Sequence, residues 1–412
     1  MLKKIISSFF TKGSVAIINL IVLIISSRQL GGEVRGQVSL LLLNITVIQI
    51  INEIYTGYAL VYFIPKFSVI KVYLTGLLWT FICISLLNAV FYVFNIGSRQ
   101  FSLHVAILSF IYTLHSFHCV LILGKEKIRP FNFLVFFQPA LLLLILSISI
   151  FYSGIKTLSA YLLALYISYT VSLLASLLFV TRLFREKKQT PQNNDPAAIF
   201  KNGVINQLGN LSHTLSNRFN FYMIGSAALI GVYSSATSLI ESVWVISGSV
   251  SPIVLTYIAN SRDPDSKGKL TFLLCKLSFL LSLVCVLILI LLPENFYTGL
   301  LGKDFSGTRS VMMYLSPGIL FISFSVIISH YFSGLGKQKI LLFANVCGVL
   351  VTICTSGFLI KNYGLIGACC AASLSYFVAS LILVILFLKH NQMSISAFFS
   401  IKEELKELLA AK

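Results

Sequence analysis

Long apolar runs recur along the whole chain, each close to the roughly 20 residues that carry a helix across about 30 Å of hydrocarbon. They cover residues 5–27, 38–63, 72–94, 101–123, 131–152, 157–181, 199–224, 229–258, 270–292, 310–333, 340–360 and 364–388, with short polar breaks between them. In lipid a backbone must satisfy its own hydrogen bonds, and a spanning barrel would show weakly alternating segments of about ten residues instead. The pattern therefore predicts an all-α polytopic membrane protein with twelve transmembrane helices. With hydrophobic residues at 57% and charged ones at 11%, water is not the main solvent of this chain. The first run continues into Arg28 without a small-residue cleavage site, so it is expected to stay as the first helix. All eight cysteines fall inside predicted spans, none in a C-x-x-C pair, and read as small apolar packing residues.

A net charge of +18 could suggest a nucleic-acid partner, but its distribution points to a membrane. With the N-terminus in the cytoplasm, only Arg28, Arg35, Arg99, Lys156, Lys303, Arg309 and Lys361 fall outside. Arg218 lies within a span, and the other lysines and arginines fall inside, as the positive-inside rule requires. Both termini are then cytoplasmic. The basic and Pro/Asn/Gln-rich stretch from Arg182 to Pro196 reads as a cytoplasmic linker dividing the spans six and six. This gives an N-terminal six-helix bundle at 1–181, a linker at 182–198, a C-terminal bundle at 199–389 and a cytoplasmic tail at 390–412. A six-residue echo supports the division: LGKEKI at Leu123–Ile128 follows the fourth span, and LGKQKI at Leu335–Ile340 follows the tenth. In the tail, Ser400 and Glu403 form a capping-box pattern ahead of an apolar face with Ile401, Leu405, Leu408 and Leu409, which predicts a short amphipathic surface helix.

Polar residues inside the spans are the ones hydrocarbon should reject. The seventh span carries Asn206, Asn210, His213, Asn217 and Asn220 along one narrow helical face, beside a stripe of Gln207, Thr214 and Arg218. So long a row of amides favours a water-filled cavity, where amides pair well with sugar hydroxyls. The second span sets Thr46, Gln49, Glu53 and Thr56 on one face, and Glu53 is the charge there to explain. In the eighth span Ser234, Ser238 and Glu241 share a side that continues to Gly248 and Pro252, where the proline is expected to kink the helix. Two readings are open for Glu241: an ion pair with Arg218, or a part in substrate or ion passage. Glu53 and Glu241 are the candidate ion-coupling groups. His104, His115 and His118 share a face of the fourth span, but only two could share an ion and no third ligand is identifiable, so polar packing or cavity lining fits them better than a metal. His213 is the better candidate for a titrating group. No P-loop, nucleophile elbow or metalloprotease helix is present, and no connection is long enough for a catalytic domain. The chain therefore reads as a transporter with no enzymatic activity of its own and no cofactor.

Several motifs resemble the polysaccharide flippases of the multidrug/oligosaccharidyl-lipid/polysaccharide exporter superfamily. Arg28, Leu30, Gly31 and Gly36 match the family's R-x-L-G-x-x-x-x-G element. Gly231, Tyr233, Ser234, Ala236, Leu239, Glu241 and Trp244 follow its eighth-helix pattern. Leu301–Phe305, Leu315–Gly318, Gly334–Lys337 and Tyr363–Ala368 continue the likeness over nearly the whole chain. The resemblance implies two six-helix bundles around a central cavity. It also implies alternating access for an undecaprenyl-pyrophosphate-linked oligosaccharide, an O-antigen or capsule repeat unit, moved from the cytoplasmic to the periplasmic leaflet of a bacterial inner membrane. Membrane lipids and other polysaccharide-assembly proteins would be its partners. Arg218, Asn206, Asn210, His213, Asn217 and Asn220 would meet the cargo, with Arg28 as a second cation. The drug-exporting branch shares the fold and would want acidic residues in its cavity, such as Glu53 and Glu241. The lipid II flippases typically carry two further helices. A membrane-embedded glycan polymerase or acyltransferase would be expected to show a longer periplasmic loop than the largest here, near 293–309.

The charge pattern makes a direct prediction. In a background without native cysteines, an impermeant thiol reagent should reach cysteines placed near Ser98 and Ser306 from outside, but not ones near Gln189 or Ser266. Labelling in the reverse pattern would overturn the orientation.

Overall fold

The computed structural model describes residues 2–65, 67–97, 99–185, 196–260 and 264–393. Most of the expected linker, at 186–195, and the amphipathic segment of the tail, within 394–412, lie outside the described residues, as do Ser98 and Gln189. The described chain is almost entirely helical. In order the helices are α1 (Leu2–Thr56), α2 (Val69–Val93), α3 (Ser102–Gly124), α4 (Ile128–Ser147), α5 (Leu158–Phe184), α6 (Pro196–Arg218), α7 (Asn220–Met223), α8 (Ala227–Glu241), α9 (Trp244–Asn260), α10 (Pro264–Leu291), α11 (Glu294–Leu301), α12 (Thr308–Gly334) and α13 (Gln338–His390).

Two of these are far too long for one crossing. α1 has 55 residues and α13 has 53, about 80 Å each at 1.5 Å per residue, more than twice the hydrocarbon thickness. Each is broken at one glycine that leaves helical geometry: Gly31 at φ 82°, ψ 172°, and Gly364 at φ 55°, ψ −130°. In α13 the chain doubles back within a few residues, since a side chain on Gly367 would collide with the carbonyl of Leu359. Among the described residues eight helices, or nine with the bent pair α8–α9, are long and apolar enough to cross a membrane. Dividing the two long ones and adding the more polar α6 gives the twelve-helix fold that the apolar runs predict.

The eighth span is bent at Ser242–Val243, where α8 meets α9 at 45°. Tightened bonds from Ser242, Val243, Val245 and Ile246 to the carbonyls three residues back form this joint. The Ser242 hydroxyl also donates to the Leu239 carbonyl at 2.6 Å. The seventh span comprises α6, with Arg218 in its last turn, and the single turn α7, joined through helical φ/ψ at Phe219.

Contacts divide the chain into two compact units. The first comprises Met1–Leu211, Gly225–Gly231 and Gly299–Phe305, so it runs past the 182–198 linker. Its cores gather Val38, Ile45, Leu108, Leu146 and Leu165 in one cluster and Leu60, Phe117, Leu121, Leu134 and Val180 in another. On α5, Ala160, Ala164, Ser168, Ser172, Ser176 and Val180 recur every four residues and are all fully buried, a seam of small side chains that lets helices approach closely. The glycines of the Arg28–Gly36 element have the same use. A Cβ on Gly36 would overlap the Ala227 carbonyl, and one on Gly231 would overlap that of Gly32. Asp304 accepts the Gly32 N–H at 3.2 Å.

The second unit comprises Ser212–Ile224, Val232–Thr298 and Ser306–Lys412. Its core packs Val254, Phe272, Ile327, Ile328, Phe332 and Phe387. Lys276, counted among the cytoplasmic charges, is buried, with its ammonium 4.6 Å from the centre of the Phe272 ring. The connection at 293–309 is folded, not loose: Glu294 accepts the N–H groups of Gly307 at 2.8 Å and Arg309 at 3.3 Å. Burial, aided by the Glu294 charge, holds the Tyr297 hydroxyl there above the ordinary tyrosine range.

Outward faces are apolar in both units, as on α2 (Leu74, Leu78, Phe81, Ile82, Leu86) and α10 (Leu277, Leu281, Val284, Ile288, Leu291). Cys83, Cys119, Cys275 and Cys369 are buried packing residues, whereas Cys354 is exposed. The six-residue echo marks equivalent turns but in a shifted register. α3 and α12 end with the same pair of bonds, Lys127 to Ile122 with Glu126 to Leu123, and Lys337 to Phe332 with Gly336 to Ser333. This equates Glu126, at φ 57°, with Gly336, at φ 71°, two residues out of step with the letter match.

The glycine contacts set an expectation for stability. Gly231→Val forces a side chain into the Gly32 backbone and should destabilise the detergent-solubilised protein by at least about 1–3 kcal/mol, lowering its melting midpoint by several degrees. Gly248→Ala, with nothing near its Cβ, should leave the midpoint unchanged or raise it slightly.

Candidate substrate and coupling sites

In the second unit the site is built where α6 ends. A helix C-terminus carries partial negative charge, so Arg218 in its last turn is well placed and Glu241, the last residue of α8, is not. The two neutralise each other. Nη1 of Arg218 donates to Oε1 of Glu241 at 3.0 Å, and Nη2 donates to Oε2, a fork-to-carboxylate pair. The guanidinium also lies over the Phe221 ring, 5.5 Å from its centre. Arg218 is 25% exposed while Glu241 is 11% exposed, so the cation is the member that a solute can reach. Next to Arg218 on α6, the Asn217 amide and Nε2 of His213 are hydrogen-bonded at 3.2 Å. His213 is exposed; Asn217 is buried, and its Oδ1 has no protein partner.

Asn220 departs from the expected role. It is fully buried on α7; its amide donates to the Ala368 carbonyl at 2.8 Å and to the Tyr233 hydroxyl at 3.3 Å, and its Oδ1 accepts from Ser356 at 2.6 Å. Every face of the amide is used, so it cross-links α7, α8 and both halves of α13 and has nothing left for a ligand. The polar row does run on to Asn220 through Phe219, whose φ/ψ are helical and whose N–H donates to the Leu215 carbonyl at 2.8 Å, but there it meets α8 and α13 instead of a cavity.

In the first unit Glu53 is the centre of a second polar group. Its Oε1 accepts from Gln49 at 2.8 Å and from Ser116 at 3.1 Å, and among the described residues it makes no ion pair. Ser116, on α3, has no sequence signature: a lone serine in an apolar run reads as packing. Asn210, exposed on α6, donates to the Gln207 side chain at 2.9 Å, and Gln207 in turn lies against Gly57. Asn206 is half-buried. Arg28 is exposed one turn before the Gly31 break, and its backbone lies beside Gly302. The three histidines of α3 are engaged separately. His104 meets the Tyr166 hydroxyl at 2.9 Å, His115 meets Cys119 at 3.7 Å, and His118 sits between Ser176 at 2.8 Å and Tyr73 at 3.2 Å.

Sequence reasoning also missed Tyr376. It is fully buried on α13, within electrostatic range of Glu241 and Arg218, and edge-on to Trp244 at 6.2 Å between ring centres. The available signal was Gly318: a Cβ there would strike both the Ser373 backbone and the Tyr376 ring, so the glycine of the Leu315–Gly318 motif lets this turn of α13 pack close.

The sequence matches no protein-family model and no curated protein. Solved structures do share the fold. The lipid II flippase MurJ in an inward closed conformation is similar at a TM-score of 0.75 and 15% identity, over 100% of this chain and 92% of that one. An inward-facing multidrug resistance MATE family transporter of the MOP superfamily gives 0.70 and 16%, over 94% and 96%. The MATE multidrug transporter DinF-BH gives 0.64 and 15%, over 94% of each chain. The twelve-helix fold is that of these proteins.

The contrast between the amides is testable. Asn220→Ala removes the bonds that tie α7 to the Ala368 carbonyl, the Ser356 hydroxyl and the Tyr233 hydroxyl and should destabilise the protein by about 1–3 kcal/mol, read as a lower melting midpoint in detergent. Asn206→Ala and Asn210→Ala should leave the midpoint within about 0.5 kcal/mol of the parent.

Proposed function

We propose that this protein carries an undecaprenyl-pyrophosphate-linked oligosaccharide from the cytoplasmic to the periplasmic leaflet of a bacterial inner membrane by alternating access. The halves 1–181 and 199–389 are its moving bodies and both termini are cytoplasmic. The observation that carries the reading is α6. In a chain of apolar helices it is the polar one, and it ends in a reachable arginine beside a buried carboxylate. A guanidinium grips phosphate oxygens through paired donors, while Asn206, Asn210, His213 and Asn217 offer both donors and acceptors to sugar hydroxyls. Arg28, exposed at the Gly31 break, supplies a second cation for the phosphates or for lipid headgroups. The polyprenyl tail stays in the bilayer, so only the polar head needs a path, and no covalent bond is made or broken. The fold shared with a lipid II flippase supports a lipid-linked cargo.

A second reading, cation-coupled export of small molecules, is favoured by Glu53, a carboxylate held by neutral donors alone among the described residues. The MATE transporters of the same fold support it.

Both readings meet one experiment. In strains with matched membrane levels, surface polysaccharide and accumulated lipid-linked precursor are measured for each variant. Arg218→Ala should reduce export roughly 10- to 100-fold, the scale of a lost charged hydrogen-bond pair, and Arg218→Lys should reduce it less. Normal export by Arg218→Ala, or full rescue by exchanging the charges of Arg218 and Glu241, would leave the pair as a helix-packing contact. Unchanged glycan export together with a pH-gradient-dependent drug efflux that Glu53→Gln abolishes would establish the second reading.

A further inference from the structure

The Arg218–Glu241 pair presents a difficulty for an anion-binding arginine, because its guanidinium is already occupied. Displacing Glu241 would leave a carboxylate in a poorly hydrated interior, which is costly unless donors receive it. Two unpartnered donors belong to the same unit. The Tyr376 hydroxyl and the Trp244 indole N–H are both buried and have no hydrogen-bond partner. Tyr376 is within electrostatic range of Glu241, and Trp244 follows Glu241 by three residues across the Ser242–Val243 bend. Each holds the other edge-on, and Gly318 provides the space for the Tyr376 ring. A buried donor without a partner forfeits about 1–3 kcal/mol, and here two of them belong to rings packed on each other, one within electrostatic range of Glu241 and the other three residues after it.

We propose that the Arg218–Glu241 pair is a displaceable latch. A phosphate-type anion takes the guanidinium from Glu241, and the freed carboxylate is received by the Tyr376 hydroxyl and the Trp244 N–H. Tyr376 and Trp244 are thus positioning residues that set the affinity for anionic cargo without touching it. Glu241 excludes neutral or cationic solutes from Arg218 because only an anion can replace it. The 45° joint between α8 and α9, made of weaker three-residue bonds, is where the carboxylate can move relative to Trp244. This inference rests on the anionic-cargo reading above.

The test uses the purified full chain in detergent and farnesyl pyrophosphate as the probe, with farnesol as the uncharged control. Because the chain has only Trp79 and Trp244, a Trp79→Phe version reports on Trp244 alone by its fluorescence. The probe, and not farnesol, should bind and change that emission. Glu241→Gln, which presents no carboxylate to displace, should bind about tenfold more tightly. Tyr376→Phe keeps the ring and its packing but should bind roughly five- to tenfold more weakly, and this loss should vanish in the Glu241→Gln background. A loss by Tyr376→Phe of equal size in both backgrounds, or no loss at all, would overturn the latch while leaving the anionic-cargo reading intact. Failure of every version, Glu241→Gln included, to bind the probe would overturn both.

Discussion

The structure depends on the absence of water from hydrocarbon. A backbone amide or hydroxyl with no solvent to turn to must find its partner inside the protein, and almost every local feature follows from that. The chain is helical because helices satisfy their own backbones. Serines and threonines lie deep in the fold because they can donate to a carbonyl three or four residues back, as Thr113 does to Ser109 and Ser251 to Ser247. Helix association then comes from close packing, so the seams are lined by glycine, alanine and serine, while leucines and phenylalanines face outward.

This constraint explains why the fold was legible in the sequence. Each apolar run reports a crossing regardless of its neighbours, and the runs named twelve helices even where the chain makes only a single-glycine break between two of them. The motif glycines were legible as letters but not as reasons. Gly31 and Gly364 allow the breaks, Gly36, Gly231 and Gly367 admit neighbouring backbone, and Gly318 admits an aromatic ring. What periodicity could not give was what each position meets. Asn220, on the polar row, cross-links α7 to α8 and α13 instead of lining a cavity, and the bend at Ser242–Val243 has no proline to announce it.

The site was legible in part for the same reason. Charges and amides stand out against an apolar background, so Glu53, Arg218, Glu241 and the α6 stripe were visible, and the Arg218–Glu241 contact is one of two readings the sequence left open. Residues whose chemistry is ordinary inside a membrane helix were not. Ser116 and Tyr376 gain their meaning from the carboxylates near them, and that proximity is a property of three-dimensional packing between segments far apart in sequence.

The polarity of α6 also bears on how the protein is made. A helix with so many amides gains little from entering lipid alone, and as it leaves the ribosome the machinery that releases segments sideways into the bilayer has no strong reason to let it go. Its first half is received by α1, where Gly203 lies directly against the Ile54 backbone and Gln207 against Gly57. Six earlier spans, α1 counting as two, have already been synthesised by then, so the seat is ready when α6 arrives. Membrane insertion of this segment is therefore an act of assembly, and errors in the first unit would be felt as a failure of biogenesis before any loss of activity.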